Sequence, residues 1–449
     1  MRVGRSATGR NMWFAVLAVF VVTSLFEGYT ALPGMQGHSI FSVLARPLVV
    51  ALPLLTAWAL WRGRRPGWLP LAVLTAWLGV AVATFLAFSP RIYYDEYYLW
   101  SQIGGYALVL ALWTLGWNRT AFRTTVILAV GLYVTATIAV GLWETATGLH
   151  LGAARSNGFI PTTFYFDANS LGAAIALILP FVGLWLMVSP KRRTALVVAL
   201  LVLPLLYLLY KTGSRGGELA LLVDLAVMPA VIPSRLRRWG WALLAGGVTI
   251  LAAGVLMLHA LPANAPLPFA LKKVQHLADI FTRFHLPSPD AKPTSLSIRM
   301  ALLQSGLEAM RQHPFGLGPR GAERWYAYWL HHPSPYNTYG VIDAHNMWLE
   351  NGIDFGWIGL ALYLVWYLLL LVAAFRLSRR AGDPFLRYLG AAAATALTGF
   401  LVGSLSPSSV MIGFHVMWVV YGIVVGAVVA DAIAPRTPSS PASPKAVPR

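Results

Sequence analysis

The chain contains no cysteine. Thiol nucleophiles, disulfides and thiolate metal sites are therefore excluded, and the composition suits an oxidising compartment. Charge is also scarce, at 11% of 449 residues, and acidic charge scarcest, with 16 Asp and Glu against 34 Lys and Arg. Hydrophobic residues make up 57%, and the mean hydropathy is +0.64. A soluble fold of this length has nowhere to hide that much apolar surface, whereas a polytopic membrane protein turns it toward lipid. The fold class expected is thus all-α, with residues 1–449 as a single membrane domain. The first apolar run, from Met12, lacks a small-residue cleavage site and is followed by more such runs, so it reads as a retained helix. The net charge of +18 raises the question of nucleic acid. Most of that charge lies in short connections, where it is a topology signal, so no nucleic-acid partner is expected.

A helix needs about 20 apolar residues to cross a bilayer. Stretches of that kind fall near 12–29, 39–61, 68–88, 98–117, 124–146, 168–189, 194–211, 217–233, 239–261, 346–376, 386–406 and 409–431, predicting about twelve transmembrane helices. Arg2, Arg5 and Arg10, then Arg62, Arg64 and Arg65, then Arg119 and Arg123, Lys191 to Arg193, Arg235 to Arg238 and Arg376 to Arg380 occupy every second connection. By the positive-inside rule those connections and both termini are cytoplasmic. Residues 435–449, rich in Pro and Ser, read as a disordered cytoplasmic tail.

The opposite connections hold the polar chemistry. Residues 261–344 form the longest loop, with eight basic and five acidic residues, a net of +3. Long loops escape the topological bias, so the weight of this outer positive charge falls on Arg155, Lys211 and Arg215 in the short connections. Within the long loop Leu296, Met300, Leu303, Leu307 and Met310 recur at helical spacing and predict an amphipathic helix along the membrane surface. Arg299 sits on the shoulder of that face, placed to point into a site. His313-Pro-Phe-Gly-Leu-Gly-Pro319 then ends the helix in a tight turn.

Each motif has two readings. In Lys211-Thr-Gly-Ser-Arg-Gly-Gly217, Ser214 caps a helix whose free N–H groups attract an anion, and Arg215 adds a planar fork suited to phosphate. Alternatively, Arg215 snorkels to lipid headgroups. Asp167 either pairs with an arginine, or Asn169 caps the next span. In Asp343-Ala-His-Asn-Met-Trp-Leu-Glu350 a polar segment meets a hydrophobic helix, and His345 is either a proton acceptor or an interfacial histidine. Asp95-Glu96, the one adjacent acidic pair outside, keeps a metal-assisted mechanism open. Arg46, Glu144 and Asp224 are intramembrane charges of the kind a transporter uses, although no internal repeat accompanies them.

Four features occur in order: Arg155-x-x-Gly-Phe159 with Asp167-x-Asn169; Ser214-Arg215-Gly216; Ser297-x-Arg299 followed by His313-Pro-Phe-Gly-Leu-Gly318; and His345-Asn346 ahead of Glu350-x-Gly352 and Gly356-x-x-Gly359. Together they resemble the O-antigen ligase and polymerase (Wzy_C-like) superfamily of bacterial envelope proteins. The resemblance implies a bacterial inner-membrane glycosyltransferase that draws a glycan from undecaprenyl diphosphate at the periplasmic face and needs no cofactor or metal. It places His345, Arg215 and Arg299 as catalytic residues, with Arg155, Lys211, Asp167, Asn169, Arg320 and Asn346 on the substrate. Partners expected are the lipid-linked donor, a lipid A–core acceptor and membrane lipids. A net-basic outer loop suits a phosphorylated core and favours a ligase; a polymerase or an oligosaccharyltransferase on the same donor are the alternatives.

Overall fold

The computed structural model describes residues 7–26, 51, 66–151, 158–260, 271, 295–332, 338–407, 409 and 414–433. Those residues form thirteen α-helices and no strand: α1 (Ala7–Ser24), α2 (Trp68–Phe88), α3 (Tyr93–Gly116), α4 (Arg119–Thr147), α5 (Ala168–Gly183), α6 (Arg192–Thr212), α7 (Arg215–Val231), α8 (Ser234–Ala260), α9 (Ser295–Gln312), α10 (Gly321–Leu330), α11 (Met347–Arg380), α12 (Pro384–Gly403) and α13 (His415–Ala432). A single 3-10 turn (Leu184–Met187) follows α5.

The chain is a polytopic helical membrane protein. Among the described residues eight helices are long and apolar enough to cross a bilayer: α2, α3, α4, α5 with its 3-10 turn, α6, α11, α12 and α13. Three further expected spans are helical: α1, with an apolar stretch over Met12–Ser24; α8, 27 residues long, with one over Gly240–Thr249; and α7, which has 17 residues and carries Arg215, Glu218 and Asp224. The span near 39–61 and the tail from residue 435 lie outside the described residues.

Small residues set the packing. Burial in lipid supplies no hydrophobic drive between helices, so close backbone approach must do so. α3 and α13 make the most extensive pair, with a Cβ on Gly105 falling 2.3 Å from Trp418. α12 is the central helix, buried along almost its whole length between α5, α7, α11 and α13, and its Ala- and Gly-rich sequence is what lets four neighbours close on it.

One helix break shapes the polar end. α11 is interrupted at Gly356, whose φ of +68° is open to glycine. The turn after α9 fills that break. Leu317 and Gly318 donate N–H bonds to the Ile353 and Asp354 carbonyls at 2.9 and 2.8 Å, and Trp357 N–H bonds the Pro314 carbonyl at 3.0 Å. A Cβ on Gly316 would lie 2.4 Å from the Asp354 carbonyl oxygen, so glycine there is a steric requirement. Asp354 then caps α10, accepting from Ala322 N at 2.8 Å and Arg320 N at 3.2 Å.

Only part of the 261–344 loop is described, and that part is largely helical. α9 appears where the periodicity puts it, but its buried face is rotated. Leu302, Ser305, Gly306, Ala309 and Met310 are buried while Leu307 is 48% exposed. Small residues decide this: Trp325 Nε1 bonds Ser305 Oγ at 3.0 Å, Tyr326 Oη bonds the Leu302 carbonyl at 2.9 Å, and Leu349 packs over Gly306. Arg299 precedes Leu302 by three and Gly306 by seven residues, which aligns it with the buried face.

Candidate functional site

Three helices begin at one place. Asp167 caps α5, accepting from Asn169 N at 2.8 Å and Ser170 N at 3.0 Å. Ser214 caps α7 through Gly217 N at 3.2 Å, and Asn346 caps α11 through Trp348 N at 3.0 Å and Leu349 N at 3.2 Å. The starts of α7 and α11 meet the segment Ser404–Leu405–Ser406 that leaves α12, and the start of α5 meets Ser214. Ser406 Oγ lies 3.3 Å from Ser214 Oγ, and the Ser406 carbonyl lies 3.3 Å from His345 Nδ1. Met347 N donates to the Ser404 carbonyl at 3.1 Å, and Arg299 Nη1 donates to the Leu405 carbonyl at 3.3 Å. Glycine permits the crowding: a Cβ on Gly172 would sit 2.3 Å from Ser214 Cβ, and one on Gly216 would sit 2.3 Å from Ser406 Cβ.

The imidazole is held in a defined state. Its Nδ1 faces a carbonyl, which only accepts, so the proton resides on Nδ1 and Nε2 keeps its lone pair. Burial lowers the His345 pKa below its ordinary 6.5, and the Arg299 charge lowers it further; Asp343, the Ser406 carbonyl and Asp167 pull the other way. The result is a neutral base at neutral pH. His345 also has φ of +47°, unusual for a residue with a side chain, and a site at which strain is held in place by its surroundings.

Positive charge is concentrated beside it. Burial lowers the Arg299 pKa, Arg215 lowers it again by repulsion, and Asp167 opposes both. Two guanidinium groups close enough to repel, next to three helix N-termini, make a site complementary to an anion.

The other residues singled out in the sequence divide. Asp167 itself, rather than Asn169, is the cap of α5, and Asn169 contributes its backbone, with its carbonyl 3.5 Å from Ser214 Oγ. Asn346 spends its side-chain oxygen on capping. Lys211 lies in the last turn of α6, just before the Ser214 cap. Arg320 bonds Glu323, three residues along α10, with Nε–Oε2 at 2.6 Å, lies 4.9 Å over the Tyr94 ring, and lines a small pocket with Asp343, Ala344 and Glu350. Neither Asp343 nor Asp167 orients the imidazole by the Nδ1 bond; a backbone carbonyl does. Arg155 lies outside the described residues.

The acidic pair is split by its surroundings. Asp95 is fully buried and accepts from Arg324 Nη1 at 2.8 Å and Ser89 Oγ at 2.5 Å, whereas Glu96 is exposed. Asp95 thus ties α3 to α10. Among the described residues no group of three or more His, Asp and Glu is placed to hold a metal ion.

Residues 199–364 match the family Wzy_C, described as O-antigen ligase. That segment, just over a third of the chain, is similar to the O-antigen ligase family. It contains Ser214, Arg215, Arg299 and His345, while Asp167 and Ser404–Ser406 lie outside it. The chain is also 27% identical over 271 residues to the teichuronic acid biosynthesis protein TuaE of Bacillus subtilis (strain 168), covering 60% of this chain and 52% of that protein. It therefore spans about half the length of this relative. The family resemblance carried by the sequence motifs is borne out, and the family comprises membrane glycosyltransferase-like enzymes of cell-surface polysaccharide synthesis.

Sequence reasoning missed Ser404 and Ser406. Their signal was faint: Gly403 closes an apolar run and Ser404-Leu-Ser-Pro407 follows it, a cluster that marks irregular backbone.

Proposed function

We propose that this protein is an O-antigen ligase of the bacterial inner membrane, transferring O-antigen polysaccharide from undecaprenyl diphosphate to a sugar hydroxyl of lipid A–core on the periplasmic face. The observation that carries this reading is the meeting of Arg215, Arg299 and neutral His345 around Ser404–Ser406. As the glycosidic bond breaks, charge grows on the diphosphate oxygens, and Arg215 and Arg299 are preorganised donors for it. His345 Nε2 takes the proton of the incoming hydroxyl, a contribution of roughly 10²–10⁴ in rate. Direct attack of that hydroxyl on the anomeric carbon inverts its configuration, and no step of this scheme uses a metal. Under the positive-inside rule both termini are cytoplasmic and His345 is periplasmic.

A second reading has one observation in its favour. TuaE is named for teichuronic acid, so a lipid-linked repeat in place of lipid A–core as acceptor, the polymerase reaction, fits the same site. Lipopolysaccharide gels of a deletion strain separate the two: a lost ladder with retained lipid-linked polymer means ligase, and a single-repeat band means polymerase. The chemistry is tested on purified protein with lipid-linked donor. His345→Ala should still bind donor but transfer almost nothing, Arg215→Lys should lose most transfer because a point charge replaces the bidentate fork, and wild type should work in chelator. Robust turnover by His345→Ala, or loss of activity in chelator and in Glu96→Gln, overturns the scheme.

A further inference from the structure

The end of the bundle opposite His345 has a groove of its own. α4 and α6 begin there, α5 finishes there, and α12 starts there. α5 contains Pro180 and stops at Gly183, giving way to the 3-10 turn, so it does not fill the gap between α4 and α6. An open groove of about 170 Å³ results, walled by Val130 and Val134 of α4 and Val198 and Leu201 of α6, and floored by Trp185 and Phe385. The floor is fixed by ring contacts: Trp185 meets Phe385 edge-on at 6.2 Å and Tyr388 at 5.2 Å, and Tyr388 Oη bonds the Phe181 carbonyl at 2.5 Å. From Val126 to Val134 the groove follows α4 for roughly 12 Å, at 1.5 Å per residue. Gly131 on its wall has open space where a Cβ would stand.

The mouth of this groove is cationic. Arg123 is exposed and its guanidinium lies 4.9 Å over the ring of Phe385, a groove residue. Lys191, Arg192 and Arg193 are exposed at the start of α6. The nearby acid, Asp383, is paired with Arg119. An apolar slot that runs from a basic rim toward mid-bilayer matches a molecule with a negative head and a hydrocarbon tail.

We infer that this groove binds one acyl chain of an anionic phospholipid from the leaflet on the basic side, with Arg123 against its phosphate. The donor site proposed above lies at the other ends of the same helices, so this site is separate from it and does not depend on that function. The occupant is a bilayer phospholipid, and the polyprenyl donor is the competing candidate that the experiment must reject.

The test uses the full chain in phosphatidylethanolamine vesicles doped with phosphatidylglycerol bearing a diazirine on its acyl chain. After irradiation and digestion, adducts are expected on residues 126–134 and 197–201. Unlabelled phosphatidylglycerol should compete and phosphatidylcholine should not. Arg123→Gln should reduce the preference for the anionic lipid about fivefold, the equivalent of one surface cation. Val130→Trp, which fills the slot from a lipid-facing wall, should remove these adducts while leaving those elsewhere. Equal labelling by a phosphatidylcholine probe would reduce the groove to ordinary boundary lipid. Better competition by polyprenyl phosphate, or unchanged labelling in Val130→Trp, also overturns the assignment.

Discussion

Gly216→Ala is the sharpest test of how the site is held. Its Cβ would lie 2.3 Å from Ser406 Cβ, whereas ordinary contact begins at 3.4 Å, so the Ser406 segment must move by about 1 Å. Ser406 supplies the carbonyl that faces His345 Nδ1, and its neighbour Leu405 supplies the one that binds Arg299. Overpacking of this kind costs about 1–3 kcal/mol, which a membrane bundle tolerates. A misplacement of about 1 Å at a reacting group, however, is worth on the order of 10² in rate. The expected result is a variant that inserts at normal level, melts slightly lower, and transfers glycan about a hundredfold more slowly in proteoliposomes supplied with lipid-linked donor and acceptor. Gly246→Ala in α8 is the control, since nothing lies within 4 Å of its Cβ position. Near-normal transfer by Gly216→Ala would mean that Ser406 does not set the position of His345 and Arg299, and the account of the site would fail.

Two further outcomes follow from the charges. Asp167→Ala should lower thermal stability by about 1 kcal/mol through the lost cap, while Asp167→Asn keeps the cap and the stability; both should lose transfer, because both remove the carboxylate that offsets Arg215 and Arg299. Equal transfer by Asp167→Asn and wild type would reduce Asp167 to a cap. For pH, the lowered pKa of His345 means that the free base persists below neutrality, so transfer should fall only as pH drops through a midpoint below 6.5. Removing one cause of the lowering, in Arg299→Gln, should shift the midpoint of the residual activity upward; an unmoved midpoint would assign the acid limb to another group.

The membrane class was legible because it rests on composition, and several helix bounds were legible because they rest on apolar runs interrupted by arginine. Apolar runs alone do not decide every span. α7 reads as a span by hydropathy yet is short and carries three ionisable residues, and whether such a helix crosses depends on what its neighbours bury. The helix containing Arg299 was legible from its period, but not which face it buries, because Ser305, Gly306 and Ala309 pack better against Trp325 and Leu349 than Leu307 does. His345, Arg215 and Arg299 were found as members of motifs. What joins them was not found, since Ser404–Ser406 act through backbone carbonyls, and a carbonyl carries no mark of residue type. Asp95 shows the converse: an acidic pair outside the membrane attracts a functional reading until Arg324 is seen to occupy it.

The three helix starts around Ser404–Ser406 have unequal caps, and the inequality has a consequence. Asp167 brings a charge, whereas Ser214 and Asn346 satisfy the free N–H groups of α7 and α11 with neutral oxygens. Beyond the caps, Glu218 in the first turn of α7 and Glu350 in that of α11 offset part of the dipole, so the capping position is where a further charge acts on the site itself. The segment that follows α12 brings three carbonyls, of Ser404, Leu405 and Ser406, and these are used by Met347, Arg299 and His345, so they serve positioning. Asn346→Asp isolates this arrangement. Aspartate caps as well as asparagine and adds about 0.3–1 kcal/mol of dipole stabilisation, so the protein should be as stable or slightly more so. Yet it places a negative charge next to His345, at the mouth of the anion site. KM for the lipid-linked donor should rise on the order of fivefold, about 1 kcal/mol for one screened charge, and the acid limb should move to higher pH as the imidazolium gains a partner. Asn346→Ser, a neutral cap, should leave both unchanged. Donor affinity unaltered by Asn346→Asp would show that the helix starts do not act on the donor, and the anion site would then rest on the arginines alone.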